Sequence, residues 1–557
     1  MSEQNPPENA PQTAGRRTGI VVAVAVLVAA VLGGGAFAAY ALLSGGGPQP
    51  VEALPATTVA VVSVDLDPSA KQKIAGLKTL RKFPELRKQL NDELKLQPGG
   101  DLREVIVREL KCEGLDFDAD VKPWVGKRAA FAAVDLGRDT PTPAFALQIT
   151  DSEKAKAGLR TIAACSKKTG DHLGYAVGSD YAIVAETSAD AAKIQQAGAQ
   201  HPLSDDASYR SWADRAGDRG VLNFYVAKKA STYLVDQLSS LEDQFTGALG
   251  GGLTGSDFSG GSAGESVPRL TGHGARAASC PDAGTDPFAG VKSQLKGFDG
   301  LAGTLRFNGG GMELSLVTSG LANLSSSTGI GSQIGSLPAD TALALGLGIP
   351  KGYVTSMVDQ ARCTVGAATV DDFLTKAEES TGLNLPEDLT TLLGSAVTLS
   401  VGGKAPAKLS DVTGPADLPV GLTLHGDAPK INTLITKVEE KLGQSLSDLG
   451  IETRTAGSKM VLSPSKEYAD DVARKGGLGE DGEFAEVVPD ADRAGAILYL
   501  DFSSAWRSAL VSLAEDMGTP HDQVDKVEQN LTPLKAVGLS SWLDGTVSHV
   551  LLKVSTN

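Results

Sequence analysis

At 557 residues the chain is too long for one compact core and predicts two or three domains, and an apolar fraction of 41% lets most of it fold. A formal net charge of −16 and a pI near 5.0 exclude nucleic acid as a natural partner, because such a surface repels phosphate backbones. The cysteines, Cys112, Cys165, Cys280 and Cys363, form no CxxC pair, which removes zinc-knuckle and thioredoxin-type chemistry. In an oxidising compartment they allow two disulfides. The expected pairing joins Cys112 to Cys165 and Cys280 to Cys363, each bridge contributing about 2–4 kcal/mol if unstrained. Free buried thiols are the alternative.

Residues 1–18 are polar, contain Pro6, Pro7 and Pro11, and read as a disordered cytoplasmic tail. Residues 19–43 predict one transmembrane helix. After Arg16 and Arg17 the chain is uncharged and apolar from Ile20 to Leu43, and about 20 such residues cross a hydrocarbon core of about 30 Å. The basic pair precedes the run, so the N-terminus is expected in the cytoplasm and everything after Ser44 outside it. A signal peptide cleaved after Ala36-Phe37-Ala38 fits less well, because the apolar stretch continues through Tyr40, Leu42 and Leu43. Residues 44–50 form a Gly- then Pro-rich linker with a reach of about 20 Å, which keeps the folded part near the bilayer.

From residue 51 the sequence repeats itself. Leu54-Pro55-Ala56-Thr57-Thr58 opens a strand expected over 59–66, and Leu337-Pro338-Ala339-Asp340-Thr341 opens one over 342–349. Gly114-Leu115-Asp116-Phe117, Asp120-Val121 and Trp124-Val125-Gly126 return at one spacing as Gly382-Leu383-Asn384-Leu385, Asp388-Leu389 and Leu392-Leu393-Gly394. Gly178-Ser179-Asp180-Tyr181 matches Gly457-Ser458-Lys459-Met460, and Asp218-Arg219 with Tyr225 matches Asp492-Arg493 with Tyr499. Two tandem homologous domains are therefore expected, 51–320 and 334–557, joined by a linker at 321–333. Further strands of the first copy are expected at 129–136, 144–150, 174–177, 181–186 and 221–227, with closing pairs at 300–318 and 538–555. Helices are expected at 70–94, 152–165, 189–197 and 209–215. Paired strands with short turns imply an α+β fold, a mostly antiparallel sheet with helices on one face. Residues 247–290 of the first copy are a Gly/Ser-rich insertion without periodicity.

The Leu54-Pro55-Ala56 opening, the helix between Pro68 and Pro84 and the segment from Asp120 to Arg128 resemble bacterial membrane-anchored proteins grouped as domain of unknown function 3352. The resemblance covers the anchor and essentially the whole part after it. It implies the same topology and brings no established activity, cofactor or catalytic residue.

Motifs that carry chemistry elsewhere lack their context here. Gly260, Ser262 and Gly264 fit G-x-S-x-G, but a nucleophile elbow needs a strand before it and a helix after it, and this match lies in the insertion. Gly250, Gly252 and Gly255 fit G-x-G-x-x-G with the same defect. Ser293 with Lys296 and Ser463 with Lys466 satisfy S-x-x-K without the companion motifs of a penicillin-recognising enzyme. Asp116, Asp118 and Asp120 alternate like a calcium loop, yet Val121 stands where an EF-hand needs Gly and Lys127 where it needs Glu. The second copy holds Asn384, Pro386 and Asp388 there, which suits a helix start.

His172, His201, His273, His425, His521 and His549 show no metal-ligand spacing, and a structural role is expected for each. Trp124, Tyr225 and Tyr499 read as core. Tyr209 and Trp212, at i, i+3, read as a core contact rather than a carbohydrate platform. The basic stretch from Lys71 to Lys95 reads as a solvated helix face, with anionic headgroups as the alternative contact.

No catalytic, cofactor-binding or metal residue is assigned. The expectation is a non-catalytic extracytoplasmic protein, anchored by its N-terminal helix, that binds an envelope protein, lipid or wall component, with the cleft between the copies as the natural ligand position. The alternatives are an envelope hydrolase with a site assembled from distant segments and a purely structural spacer.

Overall fold

The computed structural model describes residues 49–65, 76, 79, 81–84, 103, 115–168, 173–237, 239, 292, 295–308, 310–320, 329–404, 406, 411–502 and 505–557. The expected tail, the transmembrane helix at 19–43, the insertion at 247–290, Cys112 and Cys280 lie outside the described residues, as does almost all of the expected helix at 70–94. Among the described residues no helix is long and apolar enough to cross a membrane.

In the first half the strands are β1 (Thr58–Asp65), β2 (Val125–Val134), β3 (Thr142–Ile149), β4 (Gly174–Val177), β5 (Tyr181–Ala185), β6 (Leu222–Ala227), β7 (Gly300–Asn308) and β8 (Gly311–Ser319). In the second half they are β9 (Thr341–Gly348), β10 (Ala396–Gly402), β11 (Val420–His425), β12 (Glu452–Ala456), β13 (Lys459–Ser463), β14 (Ala496–Asp501), β15 (Leu534–Asp544) and β16 (Val547–Thr556). Period-2 alternation of apolar residues marked each first-half strand to within four residues, because a half-buried strand must present alternate side chains to the core.

All of these strands join one 16-stranded sheet in the order β12-β13-β11-β10-β9-β14-β15-β16-β8-β7-β6-β1-β2-β3-β5-β4. Every neighbouring pair is antiparallel. The run β16-β15-β14-β9-β10-β11-β13-β12 follows, position by position, the order β8-β7-β6-β1-β2-β3-β5-β4. The halves meet through their last strands, with Leu552 opposite Leu314 and His549 opposite Val317. Two corresponding strands paired antiparallel are what a local two-fold axis normal to the sheet produces. The ladder is therefore unbroken between 51–320 and 334–557.

One face of the sheet carries the core. In the first half it is covered by α2 (Ser188–Gln200) and α3 (Ala207–Ala216), whose Ala191, Ile194, Tyr209 and Trp212 pack on Ala130, Ala132, Ala144 and Ile183. In the second half α9 (Lys466–Ala473) and α10 (Gly482–Val487), with the short α4 (Gly331–Gly335), place Tyr468, Val472, Phe484 and Ile334 on Ala344, Ala396 and Ile497. Of these, α2, α3, α9 and α10 begin at Thr187, Asp206, Ser465 and Asp481, each of whose side chains accepts a backbone N–H of the first turn.

Helices also occupy the opposite face, in contrast to the one-sided cover expected from the sequence. There α1 (Ser152–Lys168) lays Ala155, Leu159 and Ile162 on Ala182 and Val184. The second-half counterpart, α8 (Ala428–Leu442), lays Ile431 on Leu424 and Met460. The reason is legible in β5, Tyr-Ala-Ile-Val-Ala, which is buried at every position. A continuous apolar run needs cover on both sides. The second half adds α5 (Tyr353–Val365), α6 (Ala367–Thr381) and α7 (Glu387–Leu393), of which α6 and α7 pack on α8, and a hairpin of α11 (Ala505–Asp516) and α12 (His521–Leu531).

Candidate binding surface

Between α1 and α8 the opposite face is mixed: Phe224, Leu305 and Phe307 are buried, with Ala230 and Tyr233 packed against Val226 and Leu301, whereas side chains of β3 and of β9–β11 are exposed, and register determines which. On β10, Val397, Leu399 and Val401 point away from the core, and Leu399 stands beside Leu345 of β9 and Leu422 of β11. These three leucines are 37%, 45% and 37% exposed respectively for Leu399, Leu345 and Leu422. On β2, Phe131 stands between Val62 of β1 and Phe145 of β3, and Phe145 is 48% exposed. The two phenyl rings lie 5.0 Å apart. By strand order the two trios occupy corresponding places in the two halves.

A row of half-buried leucines extends the second-half patch to the seam: Leu345 beside Leu498, then Leu539, Leu552 and Leu314. The backbone amides here are consumed by the ladder and the side chains are hydrocarbon. Exposed apolar side chains grouped in this way are a feature that interaction sites share. Sequence reasoning missed it by assigning one apolar face per strand. The sequence pattern misleads here, because β10 and β11 carry their large apolar residues (Val397, Leu399, Val401; Val420, Leu422, Leu424) on this face and Thr398, Ser400, Gly421 and Thr423 on the core-bearing one.

Near the seam the core-bearing face carries stacked cationic and aromatic side chains. Arg215 lies over the ring of Trp212 at 5.2 Å, and Arg493 lies over Trp542 at 4.2 Å. Trp542 is in turn stacked on His549 at 5.1 Å. Burial lowers the His549 pKa, with Arg493 and Arg215 adding to the effect and Asp544 and Asp490 opposing it. A cavity of about 30 Å³ under α3, lined by Ser63, Asn223, Tyr225 and Thr304 among others, has room for little more than a water molecule.

The residues singled out in the sequence take structural parts. Asp120 accepts the backbone N–H of Asp116 at 2.9 Å, and Asp388 accepts that of Asn384 at 2.8 Å, so this carboxylate closes a turn in both halves. Asp118 pairs with Lys122 at 2.5 Å. Among the described residues no group of three or more His, Cys, Asp or Glu side chains could hold a metal ion. Ser463 is buried and accepts the N–H of Ser465, while Lys466 pairs with Asp470 at 3.1 Å.

His425 is held by Thr398 at 3.1 Å, and burial with Lys459 nearby brings its pKa down to about 4. His201 follows α2, and His521 opens α12 with its Nδ1 3.8 Å from Glu515. Tyr209 and Trp212 are core residues, Tyr209 meeting Tyr225 edge-on at 5.2 Å. Trp124 is buried and donates to the Asp120 carbonyl at 2.5 Å. Of the basic stretch, Lys82 donates to the Thr556 hydroxyl at 2.8 Å, at the far end of β16. Cys165 and Cys363 are disulfide-bonded, while Cys112 and Cys280 lie outside the described residues. His172, His273, Ser293 and the glycine motifs of the insertion also lie outside them.

One family model, described as Protein of unknown function (DUF3352), matches residues 20–185, a span that opens on the apolar run and ends on β5. It bears out the resemblance read from the Leu54-Pro55-Ala56 opening and the Asp120 segment. No curated protein matches the chain.

Proposed function

We propose that the protein is a non-catalytic, extracytoplasmic binding protein, held at the membrane by residues 19–43 and built by duplication of one eight-stranded unit. The observation that carries the binding role is the exposed apolar cluster Leu345, Leu399 and Leu422 on β9–β11, with Phe145 exposed on β3, the strand that corresponds to β11. A surface that served only to separate other parts would have no reason to leave Phe145 and Leu422 open in both places.

Duplication is supported by detail as well as by strand order. Thr58 Oγ1 donates to the Pro55 carbonyl at 2.7 Å, and Thr341 Oγ1 donates to Pro338 at 2.6 Å. The Tyr209–Tyr225 edge contact has a counterpart in Phe484–Tyr499 at 5.3 Å, each pair following an aspartate cap. The anchor rests on the uncharged run after Arg16 and Arg17, and the family match includes that run.

The test is crosslinking in intact cells with a membrane-impermeant reagent, comparing the full chain with its Leu399→Asp and Phe145→Asp variants. A captured partner or ligand that is lost in both variants supports the reading. A chain that takes no label from outside refutes the location, and capture unchanged by either substitution refutes the surface.

A further inference from the structure

We propose that the α5–α6 hairpin is a flap that closes over Leu345, Leu399 and Leu422, and that the position of α5 and α6 in this structure is its open state. Closure is a property of the chain alone and needs no binding partner, although it covers the cluster that carries the binding role. The hairpin has an apolar stripe that its neighbours cover only in part. Val354, Val358, Ala361 and Val365 in α5, and Val370, Phe373 and Ala377 in α6, follow the spacing of a helix side made to be buried. Of these only Val354 and Val370 are buried, while Val365 is 60% and Phe373 69% exposed. Met357, one turn beyond Val354, is 53% exposed. Arg362 of α5 pairs with Asp371 of α6 at 2.8 Å, so the two helices hold each other. The pair is joined to β9 through Gly352 and to the Asp388 turn through Gly382, both at positive φ. A Cβ at Gly352 would meet no atom within 4 Å, so nothing packs against that joint.

The leucine cluster lies within reach. The hairpin rests on α8 through α6, and α8 covers Leu424 and Met460, with Val397 and Leu462 packed beside them. Leu422, Leu399 and Leu345 come next on the same face. Two strand spacings separate Leu422 from Leu345, about 10 Å, whereas the 13 residues of α5 span about 20 Å.

The first half shows the covered arrangement. The chain between β1 and the Asp120 turn holds the place there that α5 and α6 hold between β9 and the Asp388 turn. Gly76 and Thr79 of that stretch are buried, and Lys82 donates to Thr556 Oγ1 at 2.8 Å. By strand period the Thr556 side chain is on the face of Leu552 and Leu314, and Leu305 and Phe307 of that face are buried. In the second half, apolar side chains are left open both on the hairpin and on the strands beside it, and closure removes both from water.

The experiment treats the full chain, in phosphatidylcholine nanodiscs without any partner, with dilute hydrogen peroxide and follows methionine sulfoxide by peptide mass spectrometry. Met517, 77% exposed, sets the rate of an open side chain, and the fully buried Met460 reports that the fold is intact. Met357 is expected to oxidise about tenfold more slowly than Met517, as a side chain reachable in roughly one molecule in ten does. Leu399→Asp/Leu422→Asp is expected to bring Met357 to the Met517 rate while Met460 stays protected. If that variant exposes Met460, Phe373→Ser on the helix surface gives the same readout and decides instead. Oxidation of Met357 as fast as Met517 in the unsubstituted chain overturns the flap. Slow oxidation that survives the deciding variant overturns it as well. Neither result touches the crosslinking test of the binding role, because no partner is present.

Discussion

Replacing Val317 by alanine tests whether the two halves behave as one body. Val317 is fully buried on β8, opposite His549 of β16, in a cluster that takes in Trp212 of α3 and Val547 of the second half. The substitution removes two methyl groups, at about 0.8 kcal/mol each. The cavity left in a packed site adds about 1 kcal/mol more, for a total loss of about 2–3 kcal/mol. If the sheet melts as one unit of about 500 residues, an unfolding entropy of about 2.1 cal/mol/K per residue makes this a fall of roughly 2–3 °C in a single transition. If the halves melt separately, the same loss falls on about 250 residues and moves the first-half transition by roughly 5 °C, leaving the other in place. Differential scanning calorimetry of the full chain separates these outcomes. Two transitions, with only one displaced, would refute the inference that pairing of β8 with β16 makes the halves cooperative.

Other expectations follow from single sites. A Cβ on Gly311 would overlap the Val554 carbonyl across the same seam, so Gly311→Ala should lower the denaturant midpoint by an overpacking cost of about 1–3 kcal/mol. His425 has a folded pKa of about 4, below its unfolded value of about 6.5, so the unfolded chain binds more protons between the two. Its contribution is present above pH 6.5 and is lost as pH falls towards 4, and His425→Gln should flatten the guanidinium midpoint over that window. Asp190 is buried and Arg138 holds its carboxyl below the usual range, so its contribution stands above about pH 3.9 and fades below it. Asp190→Asn should destabilise at neutral pH and remove that acid dependence, as acid melting curves would show. Peptide mapping without reduction should recover Cys112 linked to Cys165 and Cys280 linked to Cys363; any other pairing counts against the sequence-based expectation.

How far residues alone could be read is shown by particular elements. The strand expected at 174–177 has those bounds, and the helix expected at 189–197 lies inside α2 with Thr187 as its cap. Such features depend on neighbours a few residues apart, where side-chain period and turn chemistry decide the outcome. Equally legible were the Leu-Pro-Ala openings and the Asp120 and Asp388 turns, local motifs whose hydrogen bonds recur in both halves.

Partner choice was not legible. Nothing in β1 says that its neighbours are β2 and β6, or in β8 that it will pair with β16, since backbone ladders look alike whichever strand supplies them. Alternation shows that a strand has a face to bury, but whether its other face is covered depends on where distant helices land. Phe145 and Leu399 are exposed while Phe224, Leu305 and Phe307 on the same face are buried, a difference set by what packs above each strand. Sequence by itself thus determined the elements and the local turns that join them. The tertiary structure alone decided that they form one sheet and that Phe145, Leu345, Leu399 and Leu422 are left exposed on it, because both outcomes rest on contacts between residues far apart in the chain.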